Sequence, residues 1–386
     1  MRYPPPVDSP LAFPGVTGHS AVTTMLSRAI ERGRLHHGLV FTGPRGIGKA
    51  TLARGLACAL ICPVAPARGC GTCDACRRLL GGRHTDLRRL EGPGKTRTIA
   101  TGPAREMAIQ AQHAPFEAPA HIIIIDPADR MHPAAAAAML KSIEEPNPGV
   151  HWILLATNVS DVLDTILSRC MTIPLERLTS TDTRSVVLAE LERHRGGEAI
   201  DDERRDLAIA LADGSPGIAL ELLSDTSLAP TRDLLAATLT ALTHGPAAVF
   251  SGDRSPLWSA WKQAVLATPE PGSAPAGKDD GEDEVIVVKA KKKPKKKKAK
   301  KKKSKKSDKK ETPARQRATA QRLAELWLLH LRERLLGREG LRGMPKLREG
   351  APLAKQMQAI STFQTNLARN PNVRLSFEQL LLSLDR

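Results

Sequence analysis

The residues whose types and spacing most clearly suggest chemistry form the segment Gly43-Pro44-Arg45-Gly46-Ile47-Gly48-Lys49-Ala50-Thr51. A short apolar run precedes this segment and a helix-forming stretch follows it. A strand, then a glycine-rich loop ending in lysine, then a helix is the arrangement that cradles nucleotide phosphates. The three glycines let backbone N–H groups turn toward an anion, and the helix N-terminus adds positive potential. We expect the candidate ligands of the phosphates to be Gly43, Gly46, Gly48 and Lys49.

One position of this loop departs from the pattern. The residue after the lysine is normally Ser or Thr, whose hydroxyl binds Mg²⁺, and here it is Ala50. Thr51 lies one position further on and is kept as a nucleotide-binding candidate. The loop therefore predicts a nucleotide-binding core with impaired metal chemistry. The alternative, a glycine-rich turn without a ligand, is disfavoured because so many residues of the pattern match at once.

Two further polar residues follow buried strands. The apolar run His121–Ile125 ends in Asp126, the position at which a phosphate-loop protein holds the Mg²⁺ water shell. The next residue is Pro127, which offers no base for activating water. Asp129 is interpreted as the cap of a helix over Ala134–Ile143. Asn158 ends the apolar run that begins at His151, and we expect it to reach a γ-phosphate.

A cysteine cluster follows the phosphate loop. Cys70, Cys73 and Cys76 form two overlapping Cys-x-x-Cys steps, and seven residues separate Cys62 from Cys70. Four thiolates with no open position are typical of a structural Zn²⁺ site. Cys58, one helical turn before Cys62, is the alternative fourth ligand. The competing interpretation is a set of free or redox-active thiols.

Length and composition limit the classes of protein. The chain has 386 residues, enough for two or three domains, and is 41% hydrophobic but only 3% aromatic, so we expect aliphatic cores. No run of about 18 apolar residues exists that would cross a membrane. The N-terminus has no apolar segment of a secretory signal, and the six cysteines do not resemble a disulfide framework. We expect a reduced, cytoplasmic protein.

The net charge of +17 is local. Residues 289–310 contain sixteen lysines and one aspartate, so the rest of the chain carries only +2. This tract lies within residues 269–314. That segment begins with Pro, Gly, Ser and Ala, becomes acidic, and then enters the lysine tract. A segment of this composition cannot bury enough apolar area to fold. Two interpretations stay open: a tract that lies against DNA phosphates, or a solvated insertion without a role.

Several segments together resemble one family. The phosphate loop, the four cysteines, Ile125-Asp126, Leu140–Pro146, Ala156-Thr157-Asn158 and Ser168-Arg169-Cys170 occur in the order seen in bacterial DNA polymerase III clamp-loader subunits. The resemblance covers about residues 13–225 well and the remainder weakly. Within that family the chain resembles the delta-prime type more than the gamma/tau ATPase type.

The resemblance implies the fold. The family is built on an AAA+, P-loop-like α/β domain with a parallel sheet and flanking helices, then a small helical lid and an all-α collar. Carried onto this chain, the AAA+ domain covers 1–175 with the zinc insertion at 62–76. The lid covers 176–224, and the collar covers 225–386 with the insertion 269–314. The segment from His84 to Lys95 is expected to be irregular.

The resemblance also implies a function. Arg169 would act in trans as an arginine finger in the ATP site of a neighbouring subunit, in a complex with gamma/tau and delta subunits that loads a sliding clamp onto primed DNA. Active relatives place a sensor arginine near Gly217. The absence of that arginine, together with Ala50 and Pro127, implies a subunit that does not hydrolyse ATP. Whether the subunit binds ATP without hydrolysing it stays open. The polymerase's own catalysis would lie in another subunit. The alternative is a self-sufficient gamma/tau-type ATPase.

Overall fold

A computed structural model describes residues 13–93, 97–194, 201–224, 227–244, 255–268, 311–336, 341, 344, 352–367 and 372–384. The described residues fall into two compact units. The first contains residues 13–194 together with Asp213–Gly217, and the second contains the other described residues from 201 to 384. No helix within the described ranges is both long and apolar enough to cross a membrane.

The first unit alternates strands and helices. Its strands are β1 (Gly38–Thr42), β2 (Leu87–Glu91), β3 (His121–Asp126), β4 (Val150–Ala156) and β5 (Met171–Pro174). Its helices are α1 (Ser20–Glu31), α2 (Lys49–Ile61), α3 (Asp74–Leu80), α4 (Thr101–Gln110), α5 (Pro133–Glu144), α6 (Asp164–Leu167) and α7 (Ser180–His194). Two short 3₁₀ helices occupy Ala128–Arg130 and Val159–Asp161.

The five strands form one parallel sheet in the order β2-β3-β4-β1-β5. The central strands are rich in β-branched and aliphatic residues because helices cover both of their faces. In this order β1 lies next to β4, and β3 follows on the far side of β4, so the loop after β1 shares one edge of the sheet with the ends of β3 and β4. Open parallel sheets bind their ligands beyond this edge, at the carboxyl ends of the strands. The predicted parallel α/β sheet with flanking helices is confirmed.

Alternation along the strands divides the core into two layers. Leu39, Phe41, Ile122 and Ile124 contact one layer, which contains residues of α1, α2 and α3. Residues of opposite parity contact the other layer, formed with α4, α5 and α6; they include Val40, Ile123, Ile125 and Leu154. The phosphate loop is therefore attached to a strand that is buried along its whole length.

The expectation that His84–Lys95 is irregular was wrong, because Leu87–Glu91 forms the strand β2. Two arginines interrupt the apolar residues of this strand, and only Leu87 and Leu90 are buried. Because β2 is an edge strand, its pairing with β3 makes it a strand despite its weak pattern.

The described elements of the second unit are helices: α8 (Asp202–Ala212), the main part of α9 (Pro216–Ser224), α10 (Leu228–His244), α11 (Pro256–Ala267), α12 (Pro313–Leu335), α13 (Leu353–Leu367) and α14 (Val373–Leu384). The expectation of purely aliphatic cores was wrong here. Trp258 and Trp261 pack against Phe377, which also contacts Phe363. Aromatic residues are few, but the sequence places several of them in this one core.

Two apolar stripes of the sequence, Ala324–Leu331 and Phe377–Leu384, lie on α12 and α14. Their larger side chains, such as Trp327 and Leu381, are buried within the second unit. Most of these residues therefore belong to the core of the second unit. Residues 269–310, including the lysine tract, lie outside the described residues; α12 begins at Pro313, capped by the hydroxyl of Thr312.

Candidate functional site

The phosphate loop connects β1 to α2. Gly43, Gly46 and Gly48 have φ angles of 149°, 75° and 104°, which residues with a side chain rarely adopt. At Gly43 a side chain would also collide with the backbone of Leu175. Lys49 begins α2, so the N–H groups of the first helical turn face the loop. The predicted loop geometry is present, and Thr51 lies partly buried on the same helix.

The Lys49 side chain closes back on its own loop. Its Nζ donates to the carbonyl oxygens of Gly43 at 2.6 Å and Pro44 at 2.8 Å. Burial lowers the pKa of Lys49, and the negative charges of Asp126 and Asp129 oppose this shift. The ammonium is thus held between two loop carbonyls and within the field of two carboxylates.

Gly217 lies against the loop within the first unit. Its N–H donates to the carbonyl oxygen of Gly46 at 2.9 Å. A Cβ atom at this position would lie 2.9 Å from the Cα atom of Gly46. The backbone thus occupies the space beside the loop, and an arginine at Gly217 would require this contact to open.

Asp126 ends β3 beside the end of β2, where its register partner is Glu91. Arg89 and Arg97 lie 3.4 and 3.2 Å from the Asp126 Oδ2 atom. Arg89 also forms an ion pair with Glu91, and Arg97 approaches Glu91 at 4.0 Å. The carboxylate expected to face a metal is therefore engaged by two guanidinium groups.

The expectation that Asp129 caps helix α5 was wrong. His132 is the N-cap and accepts from the N–H of Ala134 through its ring. Asp129 Oδ2 accepts from the N–H of Thr157 at 2.7 Å, at the end of β4, while its other carboxylate oxygen is buried without a hydrogen-bond partner. The Asn158 amide donates to Asp161 at 3.0 Å in an exposed turn.

These contacts test whether the site fits Mg²⁺, which a phosphate-loop fold implies. Mg²⁺ takes oxygen ligands in octahedral geometry and relies on one or two carboxylates together with phosphate oxygens. Ala50 has no hydroxyl, and Asp126 is occupied by arginines. The Oδ1 atom of Asp129 is buried without a hydrogen-bond partner and offers a single ligand. This donor set does not fit Mg²⁺.

The cysteine cluster assembles as the spacing predicts. The sulfur atoms of Cys62, Cys70, Cys73 and Cys76 all lie within 4.8 Å of one another. Backbone N–H groups donate to three of them: Ala65 and Cys70 to Cys62, Cys73 to Cys70, and Cys76 to Cys73. Four sulfurs at this separation, with N–H groups that stabilise thiolates, fit a tetrahedral Zn²⁺ ion. Cys58 is not among the four.

Cys58 is nevertheless close to the cluster. It is fully buried, and its hydrogen bond to Cys76 is the largest cause that raises the pKa of Cys76. The pKa of Cys70 instead falls to about 6: burial opposes this shift, but hydrogen bonds from the N–H groups of Cys73 and Thr72 outweigh it. Backbone N–H groups thus favour the thiolate form at Cys70.

Arg169 lies between α6 and β5, at a partly exposed surface. Its Nε donates to Glu144 at 2.9 Å, and its Nη1 donates to the carbonyl of Thr165 at 3.0 Å and to the hydroxyl of Ser168 at 3.2 Å. The neighbouring Cys170 packs beneath Gly38 in β1. The guanidinium therefore projects from a segment that is anchored to the sheet.

The sequence-based interpretation missed four charged residues: Arg89, Glu91, Arg97 and Glu144. The pair Arg89 and Glu91 carries a detectable signal, since residues two apart on a strand share a face. That signal is visible only once Leu87–Glu91 is recognised as a strand. Nothing local indicates that Arg97 or Glu144 has a distant charged partner.

The sheet order, the loop between β1 and α2 and the carboxylate that ends β3 define an α/β protein with a phosphate-loop site. Residues 18–179 match the family described as DNA polymerase III, delta subunit. This match covers most of the first unit and less than half of the chain.

Curated relatives extend the similarity. DNA polymerase III subunit tau of Salmonella typhimurium is 32% identical over 237 residues, which are 61% of this chain and 34% of the relative. The gamma/tau subunit of Mycobacterium tuberculosis is 32% identical over 233 residues, or 58% of this chain and 40% of the relative. The delta' subunit of Bacillus subtilis is 34% identical over 159 residues, or 41% of this chain and 47% of the relative. The chain thus spans a third to a half of these relatives.

Two solved structures show a more distant similarity. A gamma-subunit-related protein of Thermotoga maritima has a TM-score of 0.44 at 14% identity and covers 94% of this chain and 99% of that one. RuvB of Thermotoga maritima, titled a Holliday junction branch migration motor, has a TM-score of 0.38 at 18% identity, with 65% and 76% covered.

Proposed function

We propose that this chain is a delta-prime-type subunit of a DNA polymerase III clamp loader that does not hydrolyse ATP itself and supplies Arg169 to the ATP site of a neighbouring subunit. Its partners would be gamma/tau and delta subunits, and the complex would place a sliding clamp on primed DNA. In this proposal 1–175 is the AAA+ domain with a Zn²⁺-binding insertion, 176–224 the lid and 225–386 the collar.

The observation that carries the proposal is an asymmetry of charge and exposure. The chain's own site has lost the hydroxyl at Ala50 and the base at Pro127, and its Asp126 is neutralised by arginines. Arg169 keeps a partly exposed guanidinium whose acidic partner, Glu144, is itself more than half exposed. An exposed ion pair of this kind is readily exchanged for the phosphate of a partner's nucleotide.

The second candidate is a self-sufficient gamma/tau-type ATPase, because several of the relatives with similar sequences are tau or gamma/tau subunits. The two candidates differ in what the purified chain does alone. The gamma/tau-type candidate predicts ATP turnover that Lys49→Ala abolishes. The delta-prime-type candidate predicts no turnover above the same variant.

The lysine tract at 289–310 supports a third interpretation, a nucleic-acid-binding module. Deleting the tract would then eliminate function. In the proposed function, assembly of the complex survives the deletion and only a salt-dependent part of DNA affinity is lost.

The decisive experiment is reconstitution with gamma/tau and delta partners. Arg169→Ala should leave assembly intact, as measured by gel filtration, and lower the DNA-stimulated ATPase rate by the share contributed by one site. An arginine finger contributes about 10³–10⁵ at the site it serves. The matched control is Arg177→Ala, which removes an equally charged, exposed side chain paired with Asp213. An unchanged rate in Arg169→Ala would remove this residue from its proposed role.

A further inference from the structure

We propose that Arg89 and Arg97 take the place of a divalent cation at Asp126, so that this nucleotide cradle is charge-balanced without Mg²⁺ and does not bind it. The ligand class of the site is then a metal-free nucleoside phosphate. The proposal rests on the proposed function only in treating the loop after β1 as a nucleotide cradle.

The sheet register creates the electrostatic problem that a cation would solve. Glu91 and Asp126 are direct partners at the carboxyl ends of two parallel strands. Like charges that are paired across neighbouring strands repel each other. Asp126 has only 15% of its side chain exposed, so water screens this repulsion poorly.

Two guanidinium groups solve the problem instead. Arg89 contacts both carboxylates, and Arg97 lies 3.2 Å from Asp126 and 4.0 Å from Glu91. Together they carry the same formal charge, +2, as one Mg²⁺ ion. Lys49, which lies in the field of Asp126 and Asp129, adds a third positive charge, so three cations face the three carboxylates of Glu91, Asp126 and Asp129.

The backbone holds Arg97 in this place. Its φ angle is 48°, in the left-handed region, which costs a residue with a side chain about 1–2 kcal/mol. The backbone of Arg97 also passes directly over Gly92, where any side chain would collide with it. Such a conformation persists only where its surroundings determine it, and the close approach to Gly92 is one of those surroundings.

A cation bound at the Oδ2 atom of Asp126 would have to displace these two guanidiniums, which already contact that atom. Displacing them would break the contacts of both guanidiniums with Asp126, a penalty beyond the dehydration that Mg²⁺ already resists. The unpartnered oxygen of Asp129 is a single ligand and does not replace the missing hydroxyl at Ala50. The exclusion of metal is therefore a property of the arginines and not only of the degenerate loop.

Manganese measures this directly, because Mn²⁺ replaces Mg²⁺ and its free form is counted by electron paramagnetic resonance. The zinc-loaded full chain is titrated with Mn²⁺ in the presence and absence of a non-hydrolysable ATP analogue. We expect no saturable site in the wild type. We expect the double variant Arg89→Gln/Arg97→Gln to gain one Mn²⁺ site, with an affinity about tenfold or more above any Mn²⁺ binding by the wild type. Adding Asp126→Asn to the double variant should remove this site.

The matched control is Arg89→Lys/Arg97→Lys, which keeps both charges and should still exclude Mn²⁺. Circular dichroism and thermal melting establish folding, and Arg97→Gln alone is used if the double variant does not fold. The proposal would be overturned if the wild type bound Mn²⁺ and either Asp126→Asn or Asp129→Asn abolished that binding. So would the absence of a new site in the folded glutamine variants. Neither result involves partner subunits, so a failure here is separate from a failure of Arg169→Ala in the complex.

Discussion

The Nε atom of Arg169 donates to the Oε2 atom of Glu144 at 2.9 Å, and this contact joins the segment before β5 to the end of α5. The two side chains are 31% and 53% exposed. Pairs with this exposure contribute about 0–1 kcal/mol to stability. The contact therefore orients the guanidinium of Arg169, but it is weak enough for the guanidinium to exchange Glu144 for another anion.

The first prediction concerns that orientation. Glu144→Gln should change the free energy of unfolding by less than about 1 kcal/mol, because the pair is exposed. In the reconstituted complex it should leave the ATPase rate equal to or above that of the wild type, since it frees Arg169. Steady-state phosphate release measures the rate. A loss as large as that of Arg169→Ala would mean that the ion pair itself is required.

The second prediction concerns the cysteine cluster. The purified chain should contain one Zn²⁺ per molecule, and Cys73→Ser should lose most of it, because Cys73 is one of the four clustered sulfurs. Cys58→Ala should retain zinc, since Cys58 is not among the four. Metal content by mass spectrometry of the purified proteins measures both. Zinc lost from Cys58→Ala and kept in Cys62→Ser would show that Cys58 is the fourth ligand.

The third prediction concerns Asp86, a carboxylate buried just before β2. It accepts from the N–H groups of Phe116 at 2.6 Å, Glu117 at 2.9 Å and Ala118 at 2.9 Å. Asp86→Ala leaves these donors without an acceptor and should lower the free energy of unfolding by about 3 kcal/mol. Urea denaturation followed by far-ultraviolet circular dichroism measures the change.

The matched control for Asp86 is Asp74→Asn, whose carboxylate is 84% exposed and pairs with Arg78 on the same helix. It should change stability by less than about 1 kcal/mol. Equal effects of the two substitutions would contradict the role assigned to Asp86 in holding the loop before β3.

The fourth prediction concerns pH and the second unit. Burial lowers the pKa of His330 from about 6.5 to about 4, and the positive charge of Arg334 acts in the same direction. Between these values the unfolded chain binds a proton that the folded chain refuses. Stability should therefore fall as the pH drops from about 6.5 to about 4, by about 1.4 kcal/mol per pH unit for this group.

His330→Asn isolates that contribution. An asparagine oxygen can still accept from the N–H of Leu341, which now donates to the His330 ring at 3.1 Å, but it does not titrate. Tryptophan fluorescence during urea denaturation reports mainly on this unit, because Trp258, Trp261 and Trp327 are buried there. The variant should lose stability less steeply than the wild type below pH 6.5; identical slopes would contradict the assignment.

Local sequence determined the parts of this protein that depend on neighbours along the chain. The glycines before Lys49 require left-handed backbone angles that few other residues accept, so the loop is recognisable without coordinates. The runs ending in Asp126 and Asn158 are so apolar that they can only be buried strands. The cysteine spacing likewise brings four sulfurs together over a short stretch of chain.

Tertiary structure alone decided which charges meet. Arg89 and Arg97 reach Asp126 only because β2 pairs with β3 in one register, and β2 itself is too weakly apolar to be recognised alone. Arg169 meets Glu144 only because the chain before β5 packs against the end of α5. Ion pairs between distant residues depend on strand register and helix packing, which are set by the whole core, and so no short pattern in the sequence encodes them.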